Sequence, residues 1–568
     1  NLLPTGTTYT EADANSNRIG NSHNVSFDFE MKLDSTATIY MSPKIAKSFN
    51  KDKYKSKQET TSASDELLNE SLSDTYTETD NIAFENNLYF YKSFKKKNRG
   101  MTISVDNEHK KTDLFSKNNS ATLFYQSADP NDIRNQNQFA ENKFNKMGTE
   151  IRFGEPLTDS LKLSATTEIL YYSSNESKQT YDFNDVSGEY DAFNAFQSNT
   201  INSSVLKINP TIGLNLQKKN IRARFNVGPE FVTFKNESDY LGITTPLNEN
   251  YVFPKITGNL SYTISKSKSI YSNYDYKVEL PLANQILPVL NLSNPLNTYV
   301  GNADLKPTKQ HSFYLNYNNY NWQERNGIFF YGGMNLYKDQ IVSSTVYDAD
   351  FKATTTYQNV DSGASSYFGA TWSKSFKKEK RNLRLSIGLD SGYNFNQGLT
   401  NAELYEAKSW RAEPKVSLNW SIEELITISP SYRYTYNTTD YTNYQLDNAN
   451  TFVHNFKLEL TNYWPKNFVF GNDFGYTYNS NIADGFKNDF YLWNTSLGYN
   501  FYKDRLLAKV KVYDVLNQNV GVRRTITPTA ITDVENTVLQ QYIMFSLTYK
   551  LDKFGGKKEG EGGIFIID

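Results

Sequence analysis

The chain has 568 residues, no cysteine, 60 basic against 62 acidic residues and a net charge of −2. Cysteine chemistry of every kind is thereby excluded, from disulfide frameworks to thiol nucleophiles and Cys-based zinc sites. The balanced charge gives no basic excess for nucleic acid, so no nucleic-acid partner is expected.

The first residues, Asn1-Leu2-Leu3-Pro4-Thr5, have neither the basic start nor the apolar core of a secretory signal. Residues 1–23 are therefore read as an N-terminal loop segment, with anything upstream absent from this chain. Asp13-Ala14-Asn15-Ser16-Asn17 imitates the opening of an EF-hand loop, but Arg18 stands where the glycine should be and Asn24 where the glutamate should be.

From residue 24 the pattern changes. In Val25-Ser26-Phe27-Asp28-Phe29-Glu30-Met31-Lys32-Leu33 every odd position is apolar and every even one polar. The same period recurs from Leu161 to Ile169, Ile221 to Val227, Leu383 to Asp390, Leu506 to Val512 and Ile543 to Tyr549. Successive side chains of a strand point to opposite faces, so this is a strand period with no competing helical one. Pro430 is the misfit, and it is expected at a bulge or near a rim.

Connections alternate between tight and long. Tight ones include 34–36, 95–99, 156–159, 218–220, 266–268, 322–326, 377–380, 423–424, 465–467 and 503–504. The intervening segments 50–79, 113–140, 175–200, 280–308 and 517–537 are long and polar, and are expected to be loops. Counting from the turns gives about 21 strands, and at least one more is expected before residue 24, because a closed antiparallel barrel normally has an even number.

A helix-free sheet of that length must close or stack. Tyr 42, Phe 36 and Trp 6 make the chain 15% aromatic, yet its mean hydropathy is −0.65 and no apolar run reaches the 18 or so residues of a membrane helix. Strands with one face in lipid and the other in a polar lumen reconcile these facts. Arg222, Arg224, Lys509 and Lys511 fall in the lumen register. Tyr432, Tyr434 and Tyr436, and Tyr463, Trp464, Phe501 and Tyr502 beside tight turns, fit interfacial girdles. The fold class is thus all-β: a transmembrane antiparallel β-barrel of about 22 strands over residues 24–551, with lipid as its surroundings. Residues 552–568, rich in glycine and charge, read as a flexible periplasmic tail.

Residues 280–317 carry a specific likeness. Pro281-Leu282-Ala283-Asn284-Gln285-Ile286-Leu287-Pro288 and Asn294-Pro295-Leu296 precede Gly301-Asn302-Ala303-Asp304-Leu305-Lys306-Pro307, and a strand starting near His311 follows. The Gly-Asn-x-x-Leu-x-Pro run resembles a loop of TonB-dependent outer-membrane receptors. Val512-Tyr513-Asp514-Val515-Leu516-Asn517 resembles a segment of their penultimate strand. The whole chain is similar in texture to the Bacteroidetes outer membrane β-barrel protein family. Gly301 and Pro307 are expected to shape a loop re-entering the wall rather than to touch ligand.

The resemblance implies a TonB-dependent transporter that takes up a bulky nutrient through a plugged lumen. Its implied partners are a plug domain upstream in the same polypeptide, a TonB-type energising protein and, for a surface complex, a surface lipoprotein. The alternatives are a non-transporting barrel serving as scaffold or partner subunit, and a passive porin. His23, His109, His311 and His454 are scattered without metal-ligand spacing, and no phosphate loop, nucleophile elbow or Ser/His/Asp grouping stands out. No catalytic, metal or cofactor residue is therefore assigned, the chain is read as a non-enzyme, and the ligand-binding residues remain open.

Overall fold

The computed structural model describes residues 1–3, 6–126, 131–423, 425–442, 448–482, 485–502, 505–527 and 530–550. The 552–568 segment lies outside them. No helix among the described residues is long and apolar enough to cross a membrane; strands do that work.

Among the described residues, one sheet of 27 strands makes the wall. Four of them (Leu2–Leu3, Glu189–Phe193, Leu290–Asn294 and Asn297–Val300) are short side pairings. Two staves are each interrupted once. Gly6–Ser26 continues as Phe29–Asp34, and Ala37–Met41 continues as Lys44–Ser62. Phe27 N–H donates to the Pro43 carbonyl at 3.0 Å across the first gap. Twenty-one staves remain, each antiparallel to the next in chain order, ending with Tyr542–Tyr549.

Residues 1–23 are not a loop segment. Gly6–Ser26 is a strand paired residue for residue with Lys44–Ser62. Its sequence hid this because Asp13, Asn15, Asn17 and Asn21 are polar in the outward register as well as the inward one, so no alternation shows. The same holds for most of the long polar segments. Lys44–Ser62 and Leu67–Ser93 run up to a tip at 63–66, and Gly100–Phe124 and Asp132–Pro156 are ladder strands well past the apolar stretch. Above the bilayer both faces meet water, and period-2 hydropathy vanishes although hydrogen-bonded pairing continues.

Facing follows the alternation. Phe225, Val227, Leu214, Ile212, Ile387, Leu497, Val510 and Phe545 all present exposed apolar side chains on the outer face. Arg222, Arg224, Lys509 and Lys511 occupy the opposite register, and Lys511 meets Asp473 at 3.4 Å there. Tyr463, Trp464, Phe501 and Tyr502 cluster, exposed, at the short-turn rim. Pro430 lies four residues inside Ile426–Thr442, opposite Leu458, with no shift of register on that side. It needs no bulge because it stands near the rim and the ladder to the preceding strand simply skips it.

The first and last staves run in the same direction, and no pairing joins them among the described residues. These two staves form the seam of the sheet among the described residues.

Candidate functional site: the extracellular mouth and the upper lumen

Short turns mark the periplasmic rim and long connections the extracellular one. The connection between Lys268–Glu279 and Thr308–Asn321 turns inward instead of standing in solvent. A one-turn helix, Ala283–Ile286, drops Ile286 and Leu287 against the lumen wall, where they are 2% and 0% exposed. They pack with Val289 and Leu305 of the same connection and with Ile201, Val205, Val232 and Phe234 of the wall. Those four wall residues all lie in the register opposite to the lipid-facing Ile208, Ile212, Phe225 and Phe231. This buried apolar cluster is thus a patch inside the lumen, and burying each such side chain contributes about 1.5–3 kcal/mol.

The Gly-Asn-x-x-Leu-x-Pro run is the scaffold of that inward loop. A Cβ on Gly301 would sit 2.1 Å from the Leu287 carbonyl oxygen, so only glycine permits the two backbones to meet. Asn302 donates from Nδ2 to the Tyr357 carbonyl at 2.9 Å, and its N–H donates to the Gln285 carbonyl at 2.6 Å. Leu305 is buried, and Lys306 and Asn359 exchange two hydrogen bonds of 2.8 and 2.9 Å. The second likeness is also a scaffold: Asp514, 2% exposed, accepts from Gln518 and Asn519 N–H at 2.9 Å each and turns the chain at the strand's end.

Two further features span the mouth. Above Ala364 the strand Ala353–Lys378 leaves its partner Arg381–Thr400. Its freed edge takes Asn297–Tyr299 of the inward loop in parallel, while Ser344 and Thr345 pair with Leu399 and Thr400. Asp339 marks the bend with φ of 56°, and Lys309 Nζ holds its carboxylate at 2.8 Å. Beyond the bend, the tip at 348–352 reaches the staves near residues 67–126. Asp350, 0% exposed, accepts from Tyr125 and Gln126 N–H at 3.2 and 2.6 Å. Its carbonyl accepts from Asn69 Nδ2 at 2.7 Å, a contact 281 residues apart in sequence. Lys352 Nζ stands 5.4 Å from the centre of the Phe124 ring. The inward loop and this clasp together bridge the lumen.

Beneath the bridge lies a cavity of about 530 Å³. Its wall is a two-row grid across four staves. Thr112, Asn142, Glu176 and Ile201 stand opposite one another in one row, and Leu114, Ala140, Lys178 and Asn199 in the other. Asn284, Val289, Asn291, Ser293 and Tyr299 of the inward loop face the grid. Arg134, 4% exposed, binds Asp132 at 2.6 Å and donates to the Ser293 carbonyl at 3.2 Å, which fixes the loop to the wall. Glu176 and Lys178 lie 15 or more residues above the Leu161 end of their strand, beyond the apolar band. Burial pushes the Glu176 carboxyl above its usual range. Burial, with Arg134 nearby, pulls the Lys178 ammonium below its own. The cavity therefore offers amides, hydroxyls, two Tyr rings (Tyr299, Tyr357) and two ionisable groups whose charged forms are disfavoured by burial.

None of the wall residues that line the cavity stood out in the sequence. Residues 280–307 were identifiable as unusual, and the structure brings them to the site. Asn142, Glu176 and Asn199 belong to segments with no pattern of their own, and only their shared register signals them.

A lipid-facing apolar exterior around a bridged, polar lumen defines a transmembrane β-barrel of the outer-membrane kind. The sequence profile of the outer membrane protein beta-barrel family matches residues 92–413 and 406–549, and the chain belongs to that family. Its place is the bacterial outer membrane. Among solved structures, the copper transporter OprC is similar at 10% identity, over 100% of this chain and 82% of its own, with a TM-score of 0.48. The ferripyoverdine receptor of the outer membrane of Pseudomonas aeruginosa, bound to ferripyoverdine, is similar at 9% identity over 96% and 72%, with a TM-score of 0.43. The outer membrane transporter YddB from Escherichia coli is similar at 9% identity over 93% and 74%, with a TM-score of 0.42. No curated protein matches the chain.

Proposed function

We propose that this barrel is the wall of a TonB-dependent receptor-type transporter that captures a bulky nutrient at its bridged mouth and passes it inward. The observation that carries the reading is the inward loop. It spends a buried apolar cluster on constricting the lumen and, with the wall, encloses a polar cavity above the apolar band. A scaffold barrel has no need of such a cavity. A passive pore gains nothing from a clasp across its entrance. Chemistry on a substrate is not part of the proposal.

A lumen of this strand number is too wide for wall side chains to fill. We therefore assign the gate to a plug supplied by the same polypeptide, driven by a TonB-type energising protein. The strand closing the seam would come from that neighbouring segment, and the tail after residue 551 would lie in the periplasm. The test offers cells ferric chelates, cobalamin, oligosaccharides and peptides with this barrel present or deleted. Any nutrient whose uptake depends on the barrel should also fail to enter when the energising protein is deleted. Barrel-dependent uptake that persists without that protein overturns the reading.

A further inference from the structure

All four histidines of the chain stand on the outer face of the wall and at one height. His23 shares its register with Val25, Phe27 and Phe29; His109 with Ile103 and Val105; His311 with Phe313 and Leu315; His454 with Phe456 and Leu458. Counted from the short-turn ends Asp34, Gly100, Asn321 and Asn462, they lie eleven, nine, ten and eight residues up their strands. Strands rise about 3.3 Å per residue and tilt about 40°, so about ten residues cover the roughly 25 Å apolar band. The four imidazoles therefore sit where the apolar stripe ends and the outer-leaflet headgroups begin.

No carboxylate stands directly across from the four rings, diagonal to them or next on their own face of the strand. His23 stands opposite Lys47, with Ile45, Phe49, Asn21 and Val25 around it. His109 has Phe84 and Asn145 across, Ile82, Asn86, Lys143 and Met147 diagonal, and Asn107 and Lys111 on its own strand. His311 faces Tyr276 and Leu336, with Tyr274, Val278, Met334, Lys338, Lys309 and Phe313 next. His454 faces Tyr434 and Tyr478, with Tyr432, Tyr436, Tyr476, Phe452 and Phe456 next. Not one of these positions is Asp or Glu. The carboxylates that pair with the lysines lie farther off: Asp80 for Lys47, Asp113 and Glu141 for Lys111, Glu141 for Lys143, and Asp339 for Lys309.

Three of the rings are also aimed by hydrogen bonds at Nδ1. Asn145 Oδ1 holds His109 at 2.7 Å, the Tyr274 hydroxyl holds His311 at 3.0 Å, and the Tyr432 hydroxyl holds His454 at 2.7 Å. Fixing Nδ1 sets the orientation of Nε2. We propose that these four histidines form an interfacial belt that binds the phosphate groups of outer-leaflet lipid, most strongly when the imidazoles are protonated. Lys47, Lys111, Lys143 and Lys309 are engaged by those carboxylates, so the added charge offered to a phosphate is that of the protonated imidazoles, through charge-assisted N–H donors.

The test uses the full-length protein purified from outer membranes and placed in nanodiscs containing lipid A or lipid A stripped of its phosphates. Retained lipid is counted by native mass spectrometry at about pH 6 and about pH 8. The expected result is about threefold more phosphorylated lipid A held at the lower pH, since interfacial ion pairs are individually weak. The difference should vanish in H23Q/H109Q/H311Q/H454Q and with the stripped lipid. An unchanged difference in that variant, equal retention of stripped lipid, or full displacement by inorganic phosphate overturns the proposal. Should the variant fail to assemble, NMR titration of the wild-type imidazoles decides. Lipid A should raise their midpoints, and identical titrations with and without it overturn the belt.

Discussion

The first staves and the last are built to different lengths. Leu67–Ser93, Gly100–Phe124 and Asp132–Pro156 run 27, 25 and 25 residues, whereas Phe468–Asn479, Leu506–Tyr513 and Tyr542–Tyr549 run 12, 8 and 8. A tilted strand needs about 9–11 residues to cross the hydrocarbon. The C-terminal staves thus do little beyond crossing. The N-terminal ones continue well above the membrane, where they form the grid of the cavity and receive the clasp from Asp350. Crossing length and mouth-building are separate demands on this sheet, met by different parts of the chain.

The sharpest way to break that division is to attack the mouth where it is driest. Leu287→Asp puts a carboxylate into the fully buried centre of the lumen patch. The lost packing and the unpaired charge together exceed about 4 kcal/mol. The inward loop should detach while the wall still assembles, seen as rapid proteolysis within 280–307 of a heat-modifiable, membrane-inserted barrel. Loss of insertion as well would show that loop and wall are one unit.

Next comes the crossing region. Val510 lies between Leu497 and Phe545 on the lipid face, so Val510→Arg should cost about 2–4 kcal/mol and assemble poorly. Lys509→Val, one residue away in the lumen register, should reach the surface at near wild-type level. Equal surface levels of the two variants contradict the facing.

A smaller effect is expected at the clasp. Asp350→Ala removes a buried acceptor of two backbone N–H groups, worth about 1.5–3 kcal/mol for a charged partner. Hydrogen exchange at Tyr125 and Gln126 should quicken by about tenfold or more, with no change in the C-terminal staves. The smallest effect on assembly should follow removal of residues 53–76 and their replacement by an Asn-Gly turn joining Asp52 to Thr77, which face each other in the ladder. Insertion should persist, and protection at Tyr125 should fall because the Leu68 carbonyl that accepts its N–H at 3.1 Å is gone, together with the Asn69 amide that holds Asp350. Failure of insertion would mean that the upper sheet is needed to form the lower one.

What could be read from the sequence follows the boundary of the lipid. Where one face of a strand meets hydrocarbon, the solvent enforces alternation, as in Val25 to Leu33 or Ile543 to Tyr549. The strand type, its facing and its tight turns then follow from composition alone. Gly301 and Leu305 were legible as a motif because close backbone approach and burial each demand a particular residue. Above the lipid neither face is constrained, so Gly6–Ser26 looked like loop and the rows through Asn142, Glu176 and Lys178 looked like solvated surface.

The sequence by itself therefore determined a lipid-embedded antiparallel barrel of about this strand number and its inside and outside, because water and hydrocarbon select side chains one residue at a time. Only the tertiary structure decided the inward path of 280–307, the Asn69–Asp350 clasp, the cavity grid and the common height of the four histidines. Those depend on register between strands far apart in the chain, and register leaves no mark on any single segment.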